Sequence, residues 1–140
     1  MKLANAKAVC LMIVALSLTG SQAHAMVDFN DGGIHDIDYL IDDFVSVNGT
    51  PEMRTTVNLL DGGRIVRDLM VYNDGIVNIL GGSAQVLGAH QNSLVKMSGG
   101  LMETSLCAFG NSRARTSGGA IANQLRAGGS RVDLSGGSIG

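Results

Sequence analysis

The residues best suited to bind a metal form an acidic stretch near the N-terminus. Their carboxylate oxygens, together with the imidazole of His35, are ligands of a kind that would suit calcium. A calcium loop needs ligands at fixed positions, and the segment from Asp28 to Gly32 lacks the one at the fifth position. We therefore predict no metal or cofactor residues and keep calcium at this stretch as the alternative. The aspartates are Asp28, Asp31, Asp36, Asp38, Asp42 and Asp43.

Side chains that could act as catalytic acids, bases or nucleophiles are scattered through the rest of the chain. Glycoside hydrolysis needs two carboxylates at a fixed separation, but the four after residue 61 fall at unrelated positions of the repeat described below. His90 has no serine or cysteine at a matching position and is expected in solvent, and Cys107 is expected to present its thiol outward. This pattern predicts no catalytic residue. The four carboxylates are Asp68, Asp74, Glu103 and Asp133.

Charge divides the chain into an acidic head and a basic body. From Met26 to Asp61 eight acidic residues stand against Arg54 alone, whereas from Gly62 onward four acidic residues stand against seven basic ones. The basic residues are not interleaved with the aromatic side chains on which single-stranded nucleic acids stack. We therefore predict a solvated surface and no nucleic-acid partner, with polyanion binding by the body as the alternative.

A repeat of 18 to 20 residues positions these side chains. Glycine pairs recur at steps of 19, 18, 19 and 18 residues, and three short blocks that alternate apolar and variable residues accompany each pair. Alternation with a period of two indicates strands with one buried face, and paired glycines provide the positive φ that a sharp corner requires. The pairs begin at Gly62, Gly81, Gly99, Gly118 and Gly136.

Three strands per repeat predict an all-β fold, a single-stranded parallel β-helix with about four and a half coils over residues 57–140. The uneven steps favour a right-handed helix over the left-handed hexapeptide form. Asn58 and Asn78 share an outward position, where we expect a short side-chain ladder. Lys96, Arg115 and Asp133 occupy that outward position on the later rungs. Residues 26–56 do not fit the repeat and are predicted to cap the first coil. The chain stops within a coil, which predicts either end-to-end self-association or a C-terminally truncated array.

The repeat Val-Asn-Ile-x-Gly-Gly, with its Leu-x-Ala blocks and Asn-Ser turns, resembles exported bacterial repeat proteins related to autotransporter passengers and filamentous adhesins. The resemblance covers Val57 to Gly140. It implies a β-helix displayed outside the cytoplasm, and it does not imply a particular activity, because folds of this kind carry many functions.

The first 25 residues have the layout of a secretory signal peptide. Lys2 and Lys7 precede or flank an apolar run from Ala8 to Leu18, and a small-residue site ends at Ala25. Eleven residues are too few to span a bilayer, which takes about 20, so we predict cleavage near Ala25 and no stable membrane span. Cys107 would then be the only cysteine of the processed chain, which excludes an intrachain disulfide there.

These observations predict a secreted or cell-surface structural or adhesive protein that is not an enzyme. Its expected partners are cell-surface or extracellular glycans or proteins. The alternative is a fragment of a polysaccharide lyase or hydrolase whose catalytic coils lie outside this sequence.

Overall fold

The computed structural model describes residues 25–140, so all of the predicted signal peptide except Ala25 lies outside the described residues. Within them the chain forms thirteen strands and no helix, and every strand pairing is parallel. The strands are β1 (Met26–Phe29), β2 (Ile34–Ile37), β3 (Leu40–Ile41), β4 (Phe44–Gly49), β5 (Thr56–Leu59), β6 (Arg64–Asn73), β7 (Ile76–Ile79), β8 (Ser83–Ala89), β9 (Leu94–Met97), β10 (Leu101–Phe109), β11 (Arg113–Ile121), β12 (Gln124–Gly128) and β13 (Arg131–Ile139).

The strands stack into three walls of a solenoid. Wall A consists of β2, β5, β7, β9 and the first halves of β11 and β13. Wall B consists of β3, the beginnings of β6, β8 and β10, and the ends of β11 and β13. Wall C consists of β1, β4, the ends of β6, β8 and β10, and β12. The predicted parallel β-solenoid is therefore confirmed.

The stack is longer than the repeat predicts, because the acidic head also folds as a coil. Wall A has six rungs, and its first strand, β2, pairs in register with β5, from Ile34 with Thr56 to Ile37 with Leu59. The repeat search missed this coil for two reasons. The step from Ile34 to Thr56 is 22 residues, longer than the 18 to 20 of later coils, and no glycine pair marks its corner.

Aliphatic side chains from successive rungs fill the interior in rows, as the alternation predicts. Leu69, Leu87 and Leu106 form one such row on wall C and are completely buried. No single coil can bury its own apolar face, so each rung is covered by its neighbours. The last rung has no following neighbour among the described residues, and the inward residues Leu134 and Ile139 are accordingly about half exposed.

The glycine pairs turn the chain between walls A and B, and the two glycines of a pair are required for different reasons. Gly100 has a φ of +74°, which confirms the predicted left-handed corner, whereas Gly99 has no positive φ. A Cβ atom on Gly99 would lie 2.3 Å from the carbonyl oxygen of Leu80 on the preceding coil. Close stacking of coils, which the sequence pattern does not reveal, therefore explains why Gly99 is a glycine.

The turns that follow wall C share a left-handed residue at one equivalent position. The residues there are Asn73, Gln91, Gly110 and Gly129, with φ values of +53°, +57°, +64° and +75°. The Gln91 side chain accepts a hydrogen bond from the Asn73 backbone N–H at 2.8 Å, which ties the two turns together.

Candidate functional site

The outward surface of wall A carries a ladder of polar side chains. Asn78 donates a hydrogen bond to the side-chain oxygen of Asn58, and Asn58 donates to a carboxylate oxygen of Asp36, both at 2.8 Å. The in-register pairing of β2, β5 and β7 places these three residues directly above one another. The predicted Asn58–Asn78 ladder is thus confirmed, and Asp36 extends it into the acidic head.

The same row becomes basic on the later rungs. Lys96 pairs with Arg115 in register, and Arg115 pairs with Asp133, so the three share one outward line. Arg113 and Arg131 lie beside this line, two residues earlier on their strands, and are exposed. The outward surface of the last three wall A rungs therefore carries four basic side chains and one carboxylate, Asp133.

A shallow groove of about 360 Å³ follows this basic part of wall A. One side consists of the charged line, and the other consists of the serines that follow the last three wall A blocks in the sequence. Asp133 lies 3.0 Å from Arg131 and 3.9 Å from Arg115, and it neutralises only part of the positive charge. The groove is lined by Lys96, Arg115, Asp133, Ser98, Ser117 and Ser135, among others.

Charge consequently changes along wall A from acidic to neutral to basic. Asp36 and Asp38 belong to the first coil, Asn58 and Asn78 to the next two rungs, and the basic side chains to the last three. Charges of one sign along an open groove attract a ligand of the opposite sign. The basic groove (the wall A groove below) is therefore suited to an extended anionic ligand that lies parallel to the solenoid axis.

The acidic head does not gather its carboxylates around one point. Asp31 accepts a hydrogen bond from the His35 ring at 2.8 Å, and this bond, with one from the Gly33 backbone N–H, lowers the pKa of Asp31. Asp36 is engaged in the ladder, and Asp42 lies 3.9 Å from Arg67. Within residues 25–140 no group of three or more His, Cys, Asp or Glu side chains is arranged to hold a metal ion.

The four later carboxylates lie on different parts of the solenoid and have different partners. Asp74 is in a turn, 3.6 Å from Arg54, and Glu103 lies 3.3 Å from Arg64 near wall B. Asp133 is on wall A, and Asp68 belongs to wall C. No two of these four share one groove, so they do not form a carboxylate pair of the kind used in glycoside hydrolysis.

Wall C contradicts two predictions about exposure. His90 is only 8 % exposed and lies between Tyr72 and Phe109, with ring centroids 5.2 and 5.3 Å away. Cys107 is in an outward position, as predicted, but only 1 % exposed. Its sulfur is not a free thiol but part of a disulfide. The prediction of a solvent-exposed histidine and an exposed thiol is therefore wrong, because both side chains are buried.

Burial on wall C also shifts the pKa of Asp68. It occupies an outward position of wall C and is 1 % exposed. Burial raises its pKa to about 6, and the positive charge of the neighbouring Arg67 opposes the shift only in part. Burial, together with the charge of Asp68, also raises the pKa of Tyr72.

Sequence reasoning placed Lys96, Arg115 and Asp133 in one outward position but did not recognise the groove beside them. The signal was available in the residue that follows each wall A block, which changes from Leu60 and Leu80 to serine on the later rungs. Serine at this position presents a hydroxyl group in place of the larger apolar side chain of leucine.

No protein-family model matches the chain, and neither a curated protein nor a solved structure matches it. Among residues 25–140 there is no helix long and apolar enough to cross a lipid bilayer. The function proposed below therefore rests on the geometry of wall A.

Proposed function

We propose that the protein is an exported structural or adhesive module that binds an extended anionic polysaccharide along the wall A groove. The observation that carries the proposal is the in-register pair Lys96 and Arg115, which lines an open groove together with Ser98 and Ser117. Ammonium and guanidinium groups recognise carboxylate or sulfate groups through charge-assisted hydrogen bonds. The serines can bond to sugar hydroxyl groups.

The rigid spacing of the rungs suits a polymer better than a small molecule. Neighbouring parallel strands lie about 4.8 Å apart, so equivalent side chains present a ligand group once per rung over the length of the groove. Many weak contacts along one chain raise the overall affinity through effective concentration. A surface that binds by repetition needs no enclosed pocket, and the groove is indeed open.

Export is supported by the signal-peptide layout of residues 1–25, and the surface role by the resemblance to autotransporter passengers and adhesins. Both remain predictions. An exported protein encounters anionic glycans outside the cell. The residues that line the wall A groove include no aromatic side chain on which nucleic-acid bases could stack. We therefore favour a polysaccharide over a nucleic acid as the ligand of the basic rungs.

Binding to polygalacturonate, a carboxylated polysaccharide, tests the proposal, with neutral dextran as the control polymer. We expect calorimetry at low salt to show binding to polygalacturonate alone. The double variant Lys96→Ser/Arg115→Ser should bind at least tenfold more weakly, whereas Arg126→Ser, which removes an arginine from wall C, should bind normally. Affinity should fall as salt screens the charges. Equal binding of both polymers, or equal weakening by both variants, would contradict the proposal.

A further inference from the structure

The corner between walls C and A carries a second pocket, separate from the wall A groove. Because β5, β7, β9 and β11 pair in register, the residues two positions before these strands share one column at the corner. The column contains Arg54, Asp74, Asn92 and Asn111. An open pocket of about 200 Å³ (the corner pocket below) is lined by Arg54, Asn92, Ser93, Leu94, Asn111 and Arg113.

The corner pocket is positively charged. The guanidinium groups of Arg54 and Arg113 line it, and no carboxylate of residues 25–140 does. Arg113 is exposed and has no salt bridge among these residues. Asp74 lies 3.6 Å from Arg54 and offsets part of its charge. About one net positive charge remains, and it attracts a ligand of opposite sign.

The column loses its acidic residue where the pocket lies. Asp74 is followed by Asn92 and Asn111, and a carboxamide, unlike a carboxylate, offers two N–H donors as well as an oxygen acceptor. Both side chains are exposed. Unlike the ladder asparagines of wall A, neither makes a side-chain hydrogen bond within the part of the chain that the structure describes. They can therefore bond to the hydroxyl groups of a ligand.

A buried hydroxyl group in the lining also lacks a partner. Ser93 is only 1 % exposed, and its side-chain oxygen makes no hydrogen bond to any of residues 25–140. A buried polar group without a partner is destabilising. A ligand oxygen that accepts a hydrogen bond from Ser93 would remove this cost, so the site is more favourable when it is occupied.

The size and chemistry of the pocket suit one small ligand that carries a carboxylate and hydroxyl groups. Pockets for drug-sized ligands measure about 300–1,000 Å³, so the smaller corner pocket suits one sugar ring better than several. A guanidinium group can bond both oxygens of a carboxylate. A phosphate ester carries close to two negative charges at neutral pH, which matches one net positive charge less well. Leu94 provides an apolar contact for the carbon atoms of a ring.

We propose that the corner pocket binds one sugar acid, whose carboxylate is bound by Arg54 and Arg113 and whose hydroxyl groups are bound by Asn92 and Asn111. This inference does not depend on the polymer proposed for the wall A groove, because no residue lines both surfaces.

Titration of the full chain with galacturonate, followed by nuclear magnetic resonance, tests the ligand class. We expect saturable shifts of the Asn92 and Asn111 side-chain amide signals, which report on this pocket and not on the wall A groove. Galactose has a similar ring without the carboxylate, and inorganic phosphate has the charge without the ring. Each should bind at least about tenfold more weakly, as expected when charge-assisted or hydroxyl hydrogen bonds are lost. Equal binding of galactose or of phosphate would overturn the proposal.

Matched arginine variants test the position of the ligand. Arg113→Gln removes a guanidinium group from the lining and should weaken galacturonate binding at least about tenfold. Arg131→Gln removes the same charge from the next rung, outside the pocket, and should weaken binding by less than about threefold at physiological salt. Circular dichroism should be unchanged in both, because both side chains are exposed. Equal weakening by the two variants, or normal binding by Arg113→Gln, would contradict the proposed site.

Discussion

The two roles of glycine at the corners can be separated by three alanine substitutions in the full chain. Gly110→Ala tests positive φ alone, because Gly110 has a φ of +64° and no atom lies within 3.4 Å of its missing Cβ. Gly99→Ala tests close stacking alone, since this Cβ would lie 2.3 Å from the Leu80 carbonyl oxygen. Gly100→Ala combines both, with a φ of +74° and the Gly81 carbonyl oxygen 2.5 Å away.

The expected costs follow from these distances. A left-handed alanine costs about 1–2 kcal/mol, partly offset by about 0.4–1 kcal/mol from the more restricted unfolded chain, so Gly110→Ala should cost about 1 kcal/mol. A carbon–oxygen contact needs about 3.3 Å, so Gly99→Ala must push two coils apart by about 1 Å. Ser98 and Gly99 both donate to the Ile79 carbonyl oxygen across this gap. Each buried group left without a partner costs about 1–3 kcal/mol.

Urea unfolding followed by far-ultraviolet circular dichroism measures the series. We expect Gly110→Ala to be the mildest, Gly99→Ala to cost roughly 2–4 kcal/mol, and Gly100→Ala to cost the most. If Gly99→Ala were no more destabilising than Gly110→Ala, the coils would not stack as closely as the structure shows, and our explanation of the glycine pair would be wrong.

Three further predictions concern the apolar core, the Asn58–Asn78 ladder and the buried carboxylate of Asp68. Leu106→Ala should cost about 2–5 kcal/mol in urea unfolding because it leaves a cavity, whereas Leu134→Ala, at an inward but 54 % exposed position, should cost less than about 1 kcal/mol; equal costs would argue against a stacked interior. Asn58→Ala removes two ladder hydrogen bonds and should lower the free energy of unfolding by about 1–2 kcal/mol. Lys96→Ala, in the same row, should leave it almost unchanged. An unchanged free energy of unfolding in Asn58→Ala would show that the ladder does not stabilise the fold. Asp68 has a folded-state pKa of about 6 against an ordinary 3.8, so the folded chain binds its proton more tightly and stability rises as the pH falls from about 6 towards 4. Asp68→Asn should therefore raise the urea midpoint of the full chain at pH 7.5 and have little effect at pH 4, and an equal effect at both values would contradict the burial of its charge beside Arg67 and Tyr72.

Much of the fold could be predicted because each coil repeats the same physical requirement. Alternating blocks such as Val77-Asn78-Ile79 identify both the strand and its inward face, and the spacing of the glycine pairs gives the length of a coil. The first coil escaped prediction because its corner contains no glycine pair. Its Ile37 and Ile41 are nevertheless buried in the common interior.

The site was only partly predictable, since a period of two assigns side chains to faces but not to environments. It correctly placed Lys96, Arg115 and Asp133 on the outside of wall A. It also placed Cys107 outward on wall C, but it could not indicate that this side chain is buried. His90 was misjudged because its burial depends on Tyr72 and Phe109 from neighbouring rungs.

Pulsed electron spin resonance can measure whether each rung of wall A stacks on the next. Spin labels at Asp36→Cys and Asp133→Cys, in a Cys10→Ala/Cys107→Ala background, span five rung steps, and the pair Asn58→Cys and Asp133→Cys spans four. At about 4.8 Å per step the two distance distributions should be narrow, with means of about 24 and 19 Å. Broad distributions, or separations that do not shorten by about one strand spacing, would show that the parallel solenoid does not exist in solution.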